Sequence, residues 1–145
     1  LLHGHLSDSD LRSLYCHEKV KGLVSLTRGE GFGLPMLEAA ACGVPVVATK
    51  WSAHTEYLTG DSYLKVKYNL EKINKSRVDG SLFVEDMRWA EADEKSAVEC
   101  LEKLYKYYDV YKKRAVQHQD YIVENYSFEA ISKKYSEHFK ELLCL

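Results

Sequence analysis

Two glutamates flank a glycine-punctuated turn in the run TRGEGFGLPMLEAAACGVPVVAT. Glu30 precedes Gly31 and Gly33, and Glu38 follows with seven residues between the two glutamates. The glycines remove side chains, so the backbone can approach a bound group closely. A helix that starts directly after the turn presents free N–H groups and the positive end of its dipole, which suits a phosphate. A carboxylate beside a phosphate is repulsive, so the glutamates require a different partner.

Sugar hydroxyls can be that partner, because a vicinal diol can donate two hydrogen bonds to one carboxylate. Glu38 sits about one turn into the helix and can point to the far end of a ligand. Glu30 lies before the turn, on the other side of the phosphate. A ligand with a hydroxylated ring on each side of a phosphate suits this arrangement, and a nucleotide-sugar has that shape. The glycines alone would not carry the inference, since a lone G-x-G is a weak signal.

The elements around the turn predict a βαβ unit. GLVSL (22–26) and VPVVAT (44–49) are short apolar runs, typical of strands buried on both faces. Between them LPMLEAAAC consists of strong helix formers, with Pro35 at the first helical position and Gly43 just beyond the end. We therefore expect parallel strands, a right-handed crossover, and a turn at the carboxyl ends of the strands, where ligands bind.

The rest of the chain predicts an α/β front part and a helical C-terminal part. LLHGHL is typical of the end of a strand, and Ser7 should cap a short helix. After residue 49 we expect a helical turn, then strands in SYLKVKY and GSLFV separated by the loop NLEKINKSRVDG. From Asp93 onward the pattern is helical, Ser127 should cap the last helix, and the tyrosines should lie in the core. The apolar stripe of the last helix comprises Phe128, Ile131, Tyr135, Phe139 and Leu142.

Bulk properties narrow the class of protein. The 145 residues suit one domain, and a net charge of −2 gives no general attraction to nucleic acid or an anionic membrane. No apolar run approaches the ~20 residues of a spanning helix, and the N-terminus has no signal-peptide pattern and no initiator Met. We read the chain as cut from a longer one. The four scattered cysteines have no metal-ligand spacing, which favours reduced, structural thiols in a cytosolic protein.

EGFGLPMLE resembles the E-x7-E motif of retaining glycosyltransferases with the GT-B architecture, the glycosyltransferase family 4 (group 1) type. EAAACGVPVVAT and GHLSDSDLRSLY are also similar to that family. The resemblance is strong over residues 4–58 and weaker, though consistent, over 93–143. It implies an α/β fold in which residues 1–145 form a single partial domain. This domain is the Rossmann-like, nucleotide-sugar-binding C-terminal part of a GT-B enzyme, without its beginning and without the N-terminal acceptor domain.

The resemblance also implies residue roles. Glu30 would address the transferred sugar as the catalytic residue, and Glu38 would bind the ribose hydroxyls. The backbone that contacts the sugar and the diphosphate would be that of Gly31, Phe32, Gly33 and Leu34. No metal and no cofactor are expected. Two features depart from the family, since its basic diphosphate-binding residues have no match here and the segment 62–92 is longer.

Each candidate site residue, including the further candidates Arg28 and His54, could instead have a purely structural role. Glu30 could be a loop residue favoured by the nearby helix dipole, and Glu38 could be a solvated helix residue. The ring of Phe32 suits packing better than stacking on a base. Arg28 is a candidate phosphate partner or a solvated arginine. His54 could reach the pocket from its loop or be structural.

The sequence thus predicts the donor-binding portion of a retaining, hexosyltransferase-type enzyme (EC 2.4). Its partners would be a nucleotide-diphosphate sugar and a carbohydrate, lipid-linked or other acceptor, and the isolated chain should be inactive. We expect a cytoplasmic protein, with peripheral membrane attachment of the longer protein left open. Two alternatives remain: a nucleotide-sugar-binding or partner-binding module without catalysis, and a GT-B nucleotide-sugar epimerase.

Overall fold

The structure is a computed structural model that describes residues 4–143. The helices of this part are α1 (Asp8–Tyr15), α2 (Leu34–Ala41), α3 (Glu94–Lys106), α4 (Tyr108–Tyr126) and α5 (Phe128–Leu143). The strands are β1 (Leu23–Ser25), β2 (Val46–Thr49), β3 (Leu64–Val66), β4 (Tyr68–Lys72) and β5 (Arg88–Ala92). The strand predicted in LLHGHL lies partly outside the described residues, and residues 4–6 form no strand.

Strands β1, β2 and β3 form a parallel sheet in that order. Leu23 of β1 pairs with Val46 of β2, and Val47 pairs with Leu64 of β3. Helix α2 connects β1 to β2, so the predicted βαβ unit with parallel strands is confirmed. The turn between β1 and α2 therefore lies at the carboxyl end of β1.

The ends of α2 follow from a proline and two glycines. Gly33 precedes the helix at φ +83°, Pro35 occupies its second position, and Gly43 follows its end at φ +62°. Positive φ values are accessible to glycine without a Cβ clash. Two side chains of α4 donate hydrogen bonds to carbonyl oxygens at the C-terminal end of α2. Lys112 Nζ donates to the Gly43 oxygen (2.6 Å), and Gln119 donates to a carbonyl oxygen in the last turn of α2 (2.7 Å).

Helices cover both faces of the parallel sheet. On one face Val46 and Ala48 pack with residues of α2 and with Ile122 of α4. On the other face Val47 packs with residues of β3 and α3. The predicted burial on both faces is thus confirmed for β2 but is wrong for β1, where Val24 is 46% exposed. The reason is that α3, which covers this face of the sheet, packs mainly on β2 and β3 rather than on β1.

Strands β4 and β5 form a separate antiparallel hairpin in which Tyr68 pairs with Ala92. The loop predicted over NLEKINKSRVDG is wrong in its first part, which belongs to β4. The strand predicted in GSLFV is also wrong. There the carboxylate of Asp79 accepts the N–H groups of three successive residues at 2.8, 2.9 and 3.0 Å. These donors are consequently engaged in a local turn and do not form a ladder.

The C-terminal part is helical from Asp93, as predicted. Asp93 caps α3 by accepting the Ser96 N–H (2.7 Å), and Ser127 caps α5 by accepting the Ala130 N–H (3.2 Å). The predicted core position of the tyrosines is wrong in several cases, since Tyr105 is 91% exposed. Most of the large apolar residues of α5 are exposed as well, and only Ile131 is half-buried, because within residues 4–143 this helix packs mainly on α4.

Two further observations concern the described residues as a whole. None of their helices is both long and apolar enough to cross a bilayer. Cys16, Cys42 and Cys100 are free thiols, and Cys144 lies outside the described residues.

Candidate functional site

The turn between β1 and α2 carries a run of free backbone donors. Within residues 4–143, no protein acceptor bonds the N–H groups of Gly31, Phe32, Gly33 or Leu34. Pro35, which follows, has no N–H group. The first N–H bonds of α2 are those of Met36 and Leu37 to the Gly33 oxygen, at 3.0 and 3.2 Å. Consecutive free donors at the positive end of a helix form an arrangement that binds anions.

The hydroxyl group of Tyr57 holds this turn through its carbonyl oxygens. It donates to the Gly33 carbonyl oxygen at 2.5 Å and lies 3.1 Å from that of Phe32. Because the C=O and N–H groups of one peptide unit point in opposite directions, the N–H groups of Gly33 and Leu34 point away from Tyr57. Burial, and secondarily the charge of Glu30, raises the pKa of Tyr57, so its hydroxyl stays protonated and remains a donor.

We expect Tyr57→Phe to remove the hydrogen bonds that hold the turn while leaving no cavity in the core, because the aromatic ring stays in place. Loss of one buried hydrogen bond should lower the free energy of unfolding by about 1 kcal/mol. The turn would also lose its side-chain link to the core and could reorient, so binding of inorganic pyrophosphate should weaken. Urea denaturation and titration calorimetry measure the two effects. Tyr63→Phe is a matched control, because Tyr63 lies in the same core without a hydrogen bond from its hydroxyl to a described residue. Equal affinity in both variants would contradict the role of Tyr57.

A strained serine fixes the main chain of Glu30. The Ser52 hydroxyl donates to the Glu30 carbonyl oxygen (2.8 Å) and accepts the Glu30 N–H (2.7 Å). Ser52 has φ +89°, a conformation that costs a non-glycine residue about 1–3 kcal/mol. The half-buried Glu30 lines a cleft of about 1210 Å³ between the turn and the β4–β5 hairpin. This cleft lies directly beside the turn and is a suitable place for a ligand.

Glu38 faces a different cavity, of about 260 Å³, between α1 and α2. The Tyr15 hydroxyl donates a long hydrogen bond of 3.4 Å to its Oε2 atom. Burial, followed by the Glu38 charge, raises the pKa of Tyr15 to about 12, so Tyr15 stays a donor at neutral pH. One long bond leaves most of the carboxylate lone pairs of Glu38 free for hydroxyl groups of a ligand.

The two remaining candidates have different surroundings. Arg28 lines the same cleft as Glu30, and its Nε atom donates to Glu91 Oε2 of β5 at 2.6 Å. His54 is fully buried, and its Nε2 atom donates to the Thr49 carbonyl oxygen at 2.7 Å. The structure thus brings Glu30 and Arg28 together, whereas His54 lines neither cavity. The Phe32 ring packs on the ring of Tyr57, with 5.4 Å between the centroids.

Four residues at the site were not predicted as functional from the sequence, namely Tyr15, Ser52, Tyr57 and Glu91. Tyr15 follows the apolar pattern of α1, and nothing in a sequence marks a serine with positive φ. The predicted topology offers one signal for Ser52, because loops that follow neighbouring parallel strands meet at one edge of the sheet. The loop after β2, with Ser52, had to lie near the loop after β1.

Four buried side-chain atoms among the described residues have no hydrogen-bond partner in the protein, namely Thr27 Oγ1, Thr49 Oγ1, His54 Nδ1 and Ser62 Oγ. The first three lie at the carboxyl edge of the parallel sheet, whereas Ser62 precedes β3 at the opposite edge. No group of three or more His, Cys, Asp or Glu side chains within residues 4–143 is arranged to hold a metal ion.

Comparisons with known proteins point to one family. The family described as "Glycosyl transferases group 1" matches residues 1–107. O-antigen chain mannosyltransferase B of Escherichia coli is 43% identical over 61 residues, which are 42% of this chain and 15% of that protein. Lipopolysaccharide core biosynthesis mannosyltransferase LpsB of Rhizobium meliloti (strain 1021) is 59% identical over 39 residues, 27% of this chain and 11% of that protein. The matched segments thus span less than a fifth of either relative. Because the family match covers most of the chain, the chain belongs to the group 1 glycosyltransferases.

Proposed function

We propose that this chain binds the nucleotide-diphosphate sugar donor of a retaining glycosyltransferase of family 4. The observation that carries the proposal is the set of free N–H groups from Gly31 to Leu34, placed between Glu30 in one cavity and Glu38 in another. A diphosphate at the N–H groups would leave its sugar near Glu30 and its ribose near Glu38. Each carboxylate would then face hydroxyl groups rather than phosphate.

In the proposed reaction, the bond between the anomeric carbon and the diphosphate oxygen breaks. The acceptor hydroxyl forms the new glycosidic bond on the same face of the sugar, and its proton passes to the departing diphosphate oxygen. The N–H groups of the turn stabilise the charge that develops on the diphosphate, and Glu30 positions the sugar. The enzyme would therefore act through positioning and electrostatics. NMR of the product would test retention through the configuration at the new bond.

A thermal-shift panel of UDP-, GDP-, ADP- and dTDP-sugars tests donor binding in the full-length protein that carries this chain. A donor at 100 times its dissociation constant should add about 2.7 kcal/mol of stability. Because both relatives are named mannosyltransferases, nucleotide-mannose donors should be tested first. No shift with any donor would reject the proposal. Binding without turnover would indicate a module without catalysis, and a changed sugar without transfer would indicate an epimerase. We also propose a cytoplasmic location, which is supported by the absence of a disulfide bond among Cys16, Cys42 and Cys100.

We further propose that the reaction needs no metal ion. The helix N-terminus and the free N–H groups would supply the stabilisation that a divalent cation gives in other transferases. We therefore expect EDTA to leave the initial rate of sugar transfer unchanged in the full-length enzyme. A rate that falls with EDTA and returns with Mg²⁺ or Mn²⁺ would show that the turn does not suffice. A transferase known to need Mn²⁺, assayed in parallel, confirms that the chelator is effective.

A further inference from the structure

The β4–β5 hairpin forms one wall of the Glu30 cleft. The Ala90 N–H donates to the Arg28 carbonyl oxygen at 3.2 Å, which joins β5 to the loop after β1. Residues of the hairpin segment that line the cleft are Ile73, Leu82, Phe83, Met87, Arg88, Trp89 and Glu91. The volume of about 1210 Å³ exceeds the ~300–1,000 Å³ typical of a pocket for a single small ligand. The cleft therefore has room for more than the sugar at Glu30.

Three side chains form a fixed cluster on this wall. Arg28 is paired with both carboxylate oxygens of Glu91, at 2.6 Å from Nε and 3.0 Å from Nη2. The guanidinium group lies 4.4 Å from the ring centroid of Trp89. The hydrogen bonds raise the pKa of Arg28 and lower that of Glu91, so both groups are charged at neutral pH. A bidentate pair that stacks on an aromatic ring has one preferred geometry.

The cluster retains unused hydrogen-bonding capacity. Arg28 carries five N–H donors, of which Glu91 takes two, and the Glu91 oxygens keep free lone pairs. The side chains of Arg28 and Glu91 are 51% and 38% exposed, so both can be reached from the cleft. The cluster thus presents donors and acceptors side by side, next to an aromatic surface.

Such a surface matches a sugar ring better than a phosphate. Each sugar hydroxyl both donates and accepts a hydrogen bond, and the C–H groups of the ring can pack on an indole. The charged residues that line the cleft are two arginines and two glutamates, Arg28, Arg88, Glu30 and Glu91, so a phosphate would meet no excess of positive charge there. Since an acceptor hydroxyl must reach the sugar held at Glu30, the acceptor has to enter the same cleft.

We propose that Arg28, Glu91 and Trp89 form a carbohydrate subsite that holds a sugar ring of the acceptor. The proposal rests on the proposed function, in which Glu30 faces the transferred sugar. The subsite is separate from the residues that would bind the nucleotide, because those lie at the turn and at Glu38. It also gives a role to the hairpin, the segment in which this chain is longer than the family pattern.

The test uses Glu91→Gln in the full-length protein, with Asp86→Asn as the matched control. Asp86 forms an ion pair of 2.8 Å with Lys72 on the same hairpin but does not line the cleft. The probes are methyl α-mannoside, α-glucoside and α-galactoside, and saturation-transfer NMR measures their binding. We expect at least one glycoside to bind the wild type and to bind Glu91→Gln about tenfold more weakly. Binding to Asp86→Asn should match the wild type.

Calorimetry with UDP, GDP, ADP and dTDP keeps the two proposals distinguishable. Nucleoside diphosphate affinity should be the same in the wild type and in Glu91→Gln. The carbohydrate subsite would be rejected if no glycoside bound the wild type, if both variants weakened glycoside binding equally, or if Glu91→Gln weakened diphosphate binding as well. Absence of diphosphate binding by the wild type would reject the donor site alone. Arg28→Lys is a second variant, which should show the same selective loss because lysine cannot form the bidentate pair.

Discussion

Replacing Glu38 by alanine should reduce the affinity for nucleoside diphosphate about tenfold or more. The substitution removes charge-assisted hydrogen bonds to the ribose diol, worth roughly 1.5–3 kcal/mol together, and every 1.4 kcal/mol is about a factor of ten. Glu30→Ala should leave that affinity nearly unchanged, because a nucleoside diphosphate has no transferred sugar. Turnover of this second variant should nevertheless fall by roughly 10²-fold or more, as when a preorganised group is removed from a reacting centre.

Titration calorimetry and steady-state kinetics on the full-length protein separate the two roles. Glu102→Ala is a suitable control, since Glu102 is an exposed glutamate on α3 away from both cavities. Equal loss of diphosphate affinity in Glu30→Ala and Glu38→Ala would reject the division of roles. If neither variant lost affinity or turnover while circular dichroism showed an intact fold, both residues would be ordinary surface glutamates.

The βαβ unit around the turn could be predicted from the sequence because its signals are local and agree with one another. Pro35 and Gly43 mark the ends of α2, and the apolar run at β2 is buried as a central parallel strand should be. The start of α2 alone then places Glu30 before the helix and Glu38 about one turn into it. Their separation into two cavities depends on how α1 and the hairpin pack beside α2 and the turn, and local patterns do not describe that packing.

The hairpin could not be predicted because its pairing is not local. Residues 73–87 separate β4 from β5, whereas recognisable hairpins have loops of about two to five residues. Most of β4 is exposed, so it lacks the alternation of a half-buried strand. The ion pair between Arg28 and Glu91 spans 63 positions and was therefore invisible in the sequence. The proposed acceptor subsite depends on that pair.

Periodicity identified the C-terminal helices but not their burial. The stripe of α5 from Phe128 to Leu142 is helical as predicted, yet Phe128 is 82% and Leu142 is 64% exposed. A hydrophobic stripe specifies which face of a helix favours a partner, and it does not specify whether a partner is present. In α4, by contrast, Ile122 is 1% exposed because this helix packs on α2.

Gly33→Ala should destabilise the protein severely. Gly33 has φ +83°, and a Cβ atom there would lie 2.8 Å from Met36 Cε and 2.9 Å from the Tyr57 hydroxyl oxygen. The left-handed conformation costs a non-glycine residue about 1–2 kcal/mol, and overpacking a core costs about 1–3 kcal/mol. We therefore expect the free energy of unfolding to fall by roughly 2–5 kcal/mol, a large part of the ~5–15 kcal/mol that holds a typical domain folded.

Gly31→Ala, in contrast, should affect ligand binding and leave stability nearly unchanged. A Cβ atom at Gly31 would meet no atom within 4 Å. Stability should stay within about 1 kcal/mol of the wild type. The new methyl group would instead occupy the space from which a diphosphate approaches the free N–H groups, so nucleoside diphosphate affinity should fall about tenfold. Urea denaturation and calorimetry on both variants measure the contrast. Wild-type stability in Gly33→Ala would contradict the packing of the turn on Tyr57, and wild-type affinity in Gly31→Ala would show that the ligand does not approach the turn at this point.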